Sequence, residues 1–288
     1  MPLIDSHTHG SFCWIELGAS GQDAAKRFYG DLFGWHSTDL PLDGDSVYTL
    51  FHIHNRNVAG CYQLDPKQHL GVPPHWMTYI QAESADASAE RAVSLGAKLI
   101  VDPFDVFDLG RMAALQDPCG AYFCLWQPRA HRGIAISGVP GAPCWFELLT
   151  PNPERARDFY TQLFAWDIHP GHEGNYLHIS AGGRESGGIL PLSAAAGDTP
   201  CHWAPYFLVV DCDATATRAR EMGAQWCMEP TTLPGVGRLA TVKDPQGAVF
   251  SFIQPAAPAG YAPAGDPPAG DTSAGNTAAG DTAVGERG

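Results

Sequence analysis

Two residue pairs carry the means for chemistry. Trp14 and Glu16 stand two positions apart in the β-rich run from Phe12 to Leu17, and Trp145 and Glu147 repeat the arrangement. Side chains two apart on a strand point to the same face of a sheet, so each pair sets a carboxylate beside an indole. In a concave, partly apolar setting such a carboxylate can serve as anionic partner for a cationic ligand, as hydrogen-bond acceptor, or as general base with a raised pKa. A Glu tied to backbone amides or to an Arg within the sheet has the same spacing, and the residues alone leave both readings open. Trp76 and Trp203, each after a His, with Tyr79 and Tyr206, add flat rings with polar tips suited to a planar ligand. Core packing is the commoner fate of any one such ring.

Other constellations carry less. The opening Asp5-Ser-His7-Thr-His9 looks like a metal-ligand run, but no eightfold barrel pattern follows, and a loose, exposed start accounts for it. His52 and His54 share a strand face, whereas the matching positions of the second half hold Ser180 and Gly182, which argues against a catalytic pair. Arg111 and Arg238 open a strand before Asp117 and Asp244, and an ion pair to those aspartates is the plain expectation. The sequence contains no phosphate-binding glycine loop, GxSxG elbow or flavin fingerprint.

These residues are placed by a chain that states its plan twice. GRMAALQDPCGAYFCLWQP from Gly110 recurs as GRLATVKDPQGAVFSFIQP from Gly237, and CWIELGASGQDAAKRFYGDLFGW from Cys13 recurs as CWFELLTPNPERARDFYTQLFAW from Cys144. Each repeat divides again into strand, helix and further strands. Phe12 to Leu17 and Trp76 to Gln81 open the two halves of the first repeat. The pattern Ala24, Ala25, Phe28, Tyr29, Leu32, Phe33 and the segment from Ala85 to Leu95 are its helices, the latter closed by Gly96. The expected boundaries are a flexible start over 1–9, a domain over 10–131, a linker over 132–141, a second domain over 142–256 and a disordered tail over 257–288. The tail is rich in Ala, Gly, Pro and Asp and lacks the apolar surface needed to offset the entropy of ordering.

Composition removes whole classes of function. A chain of 288 residues with 44% hydrophobic side chains can fill two cores, and its apolar runs are strand-length, too short to span a membrane as helices. A formal charge of −14 without a basic cluster disfavours nucleic acid. The N-terminus has no basic region leading into an apolar run, and eight cysteines show neither a CxxC pair nor a disulfide ladder. A cytoplasmic protein with reduced, mostly buried thiols is expected, as a monomer or homodimer.

Four βαβββ modules, FYxxxFGW and FYxxxFAW helix ends and a D-P-x-G-A-x-F hairpin before each last strand resemble the vicinal-oxygen-chelate superfamily, which includes glyoxalase I, extradiol dioxygenases and bleomycin-resistance proteins. The likeness is nearest to its two-domain, actinomycete-type subgroup. It implies an α+β fold: a tandem repeat of two domains, each built from two βαβββ modules forming a curved, cleft-bearing mixed sheet. It also implies where a metal would be held, and those positions carry Trp14, Met77 and Cys124 in the first repeat and Trp145, Ala204 and Ser251 in the second. At most one thiol per site could ligate, so neither metal nor other cofactor is expected.

The resulting expectation is a metal-independent protein that binds an aromatic or polycyclic small molecule through Trp14, Trp76, Tyr79 and Cys124 and through Trp145, Trp203, Tyr206 and Ser251. Sequestration, resistance or an accessory role in secondary metabolism would follow. The alternative is an enzyme of natural-product tailoring, or a hydroxylase or lyase of the glyoxalase-like kind, with Glu16 or Glu147 as general base or a tailoring oxygenase as partner. A lone Glu per repeat supports that alternative less well than the aromatic clefts support binding.

Overall fold

A computed structural model of the chain describes residues 3–256 except 43, 45, 66, 68, 172–174 and 193–198; the tail expected to be disordered lies outside the described residues. The first repeat runs β1 (Phe12–Ala19), α1 (Gln22–Phe33), β2 (His36–Pro41), β3 (Val47–Ile53), β4 (Arg56–Gln63), β5 (His75–Gln81), α2 (Ala85–Ser94), β6 (Lys98–Val106), β7 (Gly110–Gln116) and β8 (Tyr122–Pro128). The second runs β9 (Pro143–Thr150), α3 (Pro153–Phe164), β10 (Asp167–Pro170), β11 (Leu177–Ala181), β12 (Arg184–Pro191), β13 (His202–Leu208), α4 (Cys212–Glu221), β14 (Gln225–Leu233), β15 (Gly237–Lys243) and β16 (Val249–Pro255). This is the α+β, duplicated βαβββ order expected. β2 has no apolar alternation to announce it: its residues HSTDLP are almost all exposed, and it forms by pairing at a sheet edge.

Local chemistry sets the helix ends. Ser84, Asn152 and Asp211 accept hydrogen bonds from the backbone N–H of Ala87, Arg155 and Ala214 and so cap α2, α3 and α4. Each repeat closes one eight-stranded mixed sheet, in the order β2-β3-β4-β1-β5-β8-β7-β6 and its copy β10-β11-β12-β9-β13-β16-β15-β14. Consecutive modules therefore join along an antiparallel seam, β1 with β5 and β9 with β13. Directly paired residues share a face, and the seams put Trp14 opposite Tyr79, Glu16 opposite Met77, Trp145 opposite Tyr206 and Glu147 opposite Ala204.

On the other face of each sheet the repeats lock together. Trp76 Nε1 donates to the Tyr29 hydroxyl at 3.1 Å, and that hydroxyl donates to Asp244 Oδ2 of the second repeat at 2.9 Å. The mirror path runs from Trp203 Nε1 to Tyr160 at 2.9 Å and from Tyr160 to Asp117 Oδ2 of the first repeat at 3.0 Å. Each Asp spends its other oxygen on three successive backbone N–H groups of its own D-P-x-G turn, those of residues 119–121 and 246–248. Around the bonds lie Phe250 against Tyr29 and Phe123 against Tyr160, so α1 and α3 are packed by both repeats. Trp35 Nε1 to Gly141 O and Trp166 Nε1 to Gly10 O tie down both FGW/FAW helix ends.

Three expectations change. Residues 3–9 are not loose: Leu3 bridges Ile136, Ile4 N–H donates to Ala135 O, and His7 Nε2 lies 2.9 Å from Ile134 O. The stretch read as a linker is thus a paired strap, because its backbone groups find partners in the N-terminal segment and in β1. Arg111 and Arg238 do not pair with Asp117 and Asp244, whose oxygens are already satisfied; they clasp Asp86 and Asp213 with both forks of the guanidinium. All eight cysteines are free thiols. No helix among the described residues is long and apolar enough to cross a membrane.

The reciprocal bonds predict a stability effect. Tyr29→Phe or Tyr160→Phe should each cost about 1.5–3 kcal/mol, the scale of a hydrogen bond to a charged group, since each leaves a buried carboxylate oxygen and an indole N–H unpaired. Urea unfolding followed by tryptophan fluorescence checks this; unchanged midpoints would show that aromatic packing alone holds the repeats.

Candidate functional site

The faces that carry Glu16 and Glu147 hold the same four-residue network. Trp14 Nε1 donates to the Tyr48 hydroxyl at 3.1 Å, Tyr48 in turn donates to the Glu16 carboxylate, and Tyr79 donates to Glu16 Oε2 at 2.8 Å. In the second repeat Trp145 Nε1 donates to Tyr176 at 2.8 Å, Tyr176 to Glu147, and Tyr206 to Glu147 Oε2 at 2.8 Å. The carboxylates are satisfied by side chains, not by backbone amides or Arg.

Register explains the convergence. Glu16 lies beside Gly60 on β4, and Glu147 beside Gly188 on β12. A Cβ at Gly60 would collide with the Tyr48 hydroxyl, and one at Gly188 with the Tyr176 hydroxyl. These glycines leave the space in which each phenol reaches over the strand to the central carboxylate. Cys124 is opposite Tyr79, and Ser251 opposite Tyr206, completing the floor.

Burial sets the electrostatics. Desolvation pushes the carboxyl of Glu16 above the usual range, and the hydrogen bonds from Tyr48 and Tyr79 pull it only part of the way back. Glu147 shifts in the same direction for the same cause, offset by Tyr206 and Tyr176. Tyr48, Tyr79 and Tyr206 are held well above the ordinary phenol value, first by burial and then by the adjacent carboxylate, so they remain donors. Glu147 is 8% exposed, while Glu16, Tyr48, Trp145 and Tyr176 are half-buried, which leaves each network reachable from the open side of its sheet. The arrangement can accept a proton, share one, or hold a ligand's polar edge against an indole.

The structure brings together Trp14, Glu16, Tyr79 and Cys124, and separately Trp145, Glu147, Tyr206 and Ser251. It does not bring Trp76 or Trp203 to them. Those residues lie opposite Leu17 and Leu148, one position out of phase with the carboxylates, and belong to the bonds between repeats. His52 is engaged with Asn57 and Thr38 at the sheet edge. Tyr48, Tyr176 and the two glycines were missed in the sequence, although both tyrosines stand four residues before the matched pair His52 and Ser180. Two surface hollows, one beside Arg157 and Trp166 and one beside His9 and Arg91, border neither carboxylate.

The positions at which the resemblance places metal ligands do not fit a divalent ion. Trp14 and Trp145 present N–H donors already committed to phenols, Met77, Ala204 and Ser251 supply no strong anionic donor, and burial pushes the Cys124 thiol far above its usual pKa. Among the described residues no group of three or more His, Cys, Asp or Glu is arranged to hold a metal.

Paired βαβββ modules, each pair joined into one eight-stranded mixed sheet with a glutamate on the strand at its seam, define the class of protein. The chain belongs to the Glyoxalase/Bleomycin resistance protein/Dioxygenase superfamily, whose family model matches residues 11–125 and 144–252. It is 38% identical over 264 residues to CFP32 of Mycobacterium tuberculosis (strain CDC 1551 / Oshkosh), a protein named for glyoxylase, with 89% of this chain and 99% of that one covered. It is 36% identical over 273 residues to the anthracycline biosynthesis protein DnrV of Streptomyces peucetius, covering 87% and 97%. Among solved structures, the Mn(II)-bound glyoxalase from Novosphingobium aromaticivorans shares the fold at TM-score 0.61 and 16% identity, covering 86% of this chain and 83% of that one. The 2,3-dioxygenase LapB from Pseudomonas sp. KL28 does so at TM-score 0.58 and 12% identity, covering 86% and 93%.

The raised carboxyl of Glu147 predicts a pH-dependent stability difference. A group whose folded pKa lies above its unfolded value of ~4.3 stabilises the fold fully only below that value and loses its contribution as pH rises through the folded pKa. Glu147→Gln should therefore unfold at a higher temperature than the parent at pH 8, with the gap closing towards pH 4. Scanning calorimetry across that range tests it, and a gap independent of pH would mean that Glu147 does not titrate on folding.

Proposed function

We propose that this protein is a metal-independent member of its superfamily that binds an aromatic or polycyclic small molecule in secondary metabolism, as a sequestering, resistance or pathway-accessory protein. The observation that carries the reading is the duplicated Trp–Tyr–Glu–Tyr network, whose tryptophans stand where the resemblance puts a metal ligand. An indole edge, two phenols and a carboxylate form an amphipathic surface for a planar ring with a polar substituent. Kinship with a protein named for anthracycline biosynthesis favours a multi-ring aromatic ligand.

A second reading draws on the pKa shift. A desolvated carboxyl in contact with two phenols is equipped for proton transfer, with Glu16 or Glu147 as base and the tyrosines holding the resulting charge. In that case the protein is a cofactor-independent tailoring enzyme, or the partner of a tailoring oxygenase.

Elemental analysis should find far less than one equivalent of Zn, Fe, Ni or Mn per repeat, and chelators should leave ligand affinity unchanged. A tightly bound equivalent would return the protein to the metalloenzyme side of its family. Native mass spectrometry of protein from its producer supplies the ligand for the second test. Trp14→Ala or Trp145→Ala should weaken its binding by about 1–3 kcal/mol. Glu16→Gln and Glu147→Gln should lower affinity if binding is the function, or keep affinity and abolish turnover if proton transfer is; four variants indistinguishable from the parent would move the site elsewhere.

A further inference from the structure

We propose that the two clefts are specialised in their flanks: the Glu147 cleft takes an aromatic hydroxylated along the edge that lies over Thr241, Ser251 and His178, and the Glu16 cleft takes one unsubstituted along the matching edge. This rests on the reading that the clefts bind planar aromatics, and it goes beyond it by assigning each one a ligand chemistry.

Strand register makes the comparison residue by residue. Across the sheet from Tyr206 run Ser251 and Thr241, whose hydroxyl oxygens are 2.8 Å apart, and Ser251 also bonds the Tyr206 hydroxyl. On the other side of Glu147, in the row through Gly188, stands His178 and then His169. The His178 ring meets Trp145 edge-on at 5.8 Å and Tyr176 at 5.3 Å. Glu185 lies between the imidazoles, 3.5 Å from His169 Nε2 and 3.5 Å from His178 Nδ1. A polar ribbon thus crosses the second sheet from β15 to β10 with Glu147 at its middle.

In the first sheet the positions next to the shared network carry no hydroxyl or imidazole, and the polar group of the same row, Thr38, lies at the sheet edge bonded to His52. Cys124 and Ala114 replace Ser251 and Thr241, and Leu50 replaces His178 in the row through Gly60. Beyond Ala114 comes Val101, 42% exposed, and two rungs on comes Phe104, 43% exposed, where the second repeat has Met228 and Thr231. One end is closed by the His131 ring, edge-on to Trp14 at 4.4 Å, which burial keeps neutral by lowering its pKa to about 4. A ligand hydroxyl set against Val101, Ala114 or Leu50 would give up its water without a replacement partner; set against Thr241, Ser251 or His178 it finds one.

The full-length chain, titrated with 2,6-dihydroxynaphthalene and with naphthalene, tests the assignment. Each probe should bind once per chain. Exchanging Thr241→Ala with Ser251→Cys, the residues the first repeat uses, should weaken the diol by roughly 5- to 100-fold, the loss of two neutral hydrogen bonds, and leave naphthalene unchanged. Ala114→Thr with Cys124→Ser should create a second diol site and weaken naphthalene. His178→Leu, at a half-exposed position and so safe for folding, should weaken the diol alone, and thermal unfolding of every variant confirms a native fold. Diol binding twice per chain with no response to any exchange overturns the specialisation while leaving binding in place; failure of both probes to bind removes the binding reading and this inference together.

Discussion

The fold depends on a carboxylate that is buried by its neighbour. Asp117 and Asp244 each sit in a tight turn of one repeat, with three backbone N–H groups on one oxygen, and the second oxygen can be satisfied only by a tyrosine on a helix of the other repeat. A buried carboxyl oxygen without a partner is costly, so the burial of each turn depends on the tyrosine of the opposite helix. The exchange is reciprocal, which makes the two repeats a single unit although each has a complete sheet. The Trp76 and Trp203 indoles extend the same bonds into the sheets, and this is why those rings are spent on assembly.

With one face of each sheet locked, the seam between modules decides what occupies the centre of the other. β1 pairs with β5, and β9 with β13, so the residues at the crossing, Glu16 and Glu147, are flanked by strands on both sides and lose most of their water. Their desolvation is a cost to the fold, moderated by two phenols each. The phenols arrive there only because Gly60 and Gly188 have no Cβ. A desolvated carboxyl thus stands at the centre of both copies of the duplicated sheet.

Duplication also supplies an internal control. Where the two sheets agree, in the tryptophan, the two tyrosines, the glutamate and the glycine, the common physical requirement is the network itself. At the positions next to it they differ: Ser251, Thr241 and His178 in one copy stand where the other has Cys124, Ala114 and Leu50.

The amino-acid sequence by itself determined the duplication, the βαβββ order, the helices from their apolar spacing and caps, and the pairing of Trp14 with Glu16 and Trp145 with Glu147 on common faces, because all of these follow from periods of two and 3.6 along one segment. Only the tertiary structure decided that β1 pairs with β5, that Tyr29 reaches Asp244 and Tyr160 reaches Asp117, that β2 exists as an edge strand, and that Tyr48 and Tyr176 lean over glycines onto the glutamates. Those facts join segments tens to hundreds of residues apart. Their partners are chosen by burial and by the need to satisfy buried polar groups, quantities that no local pattern contains.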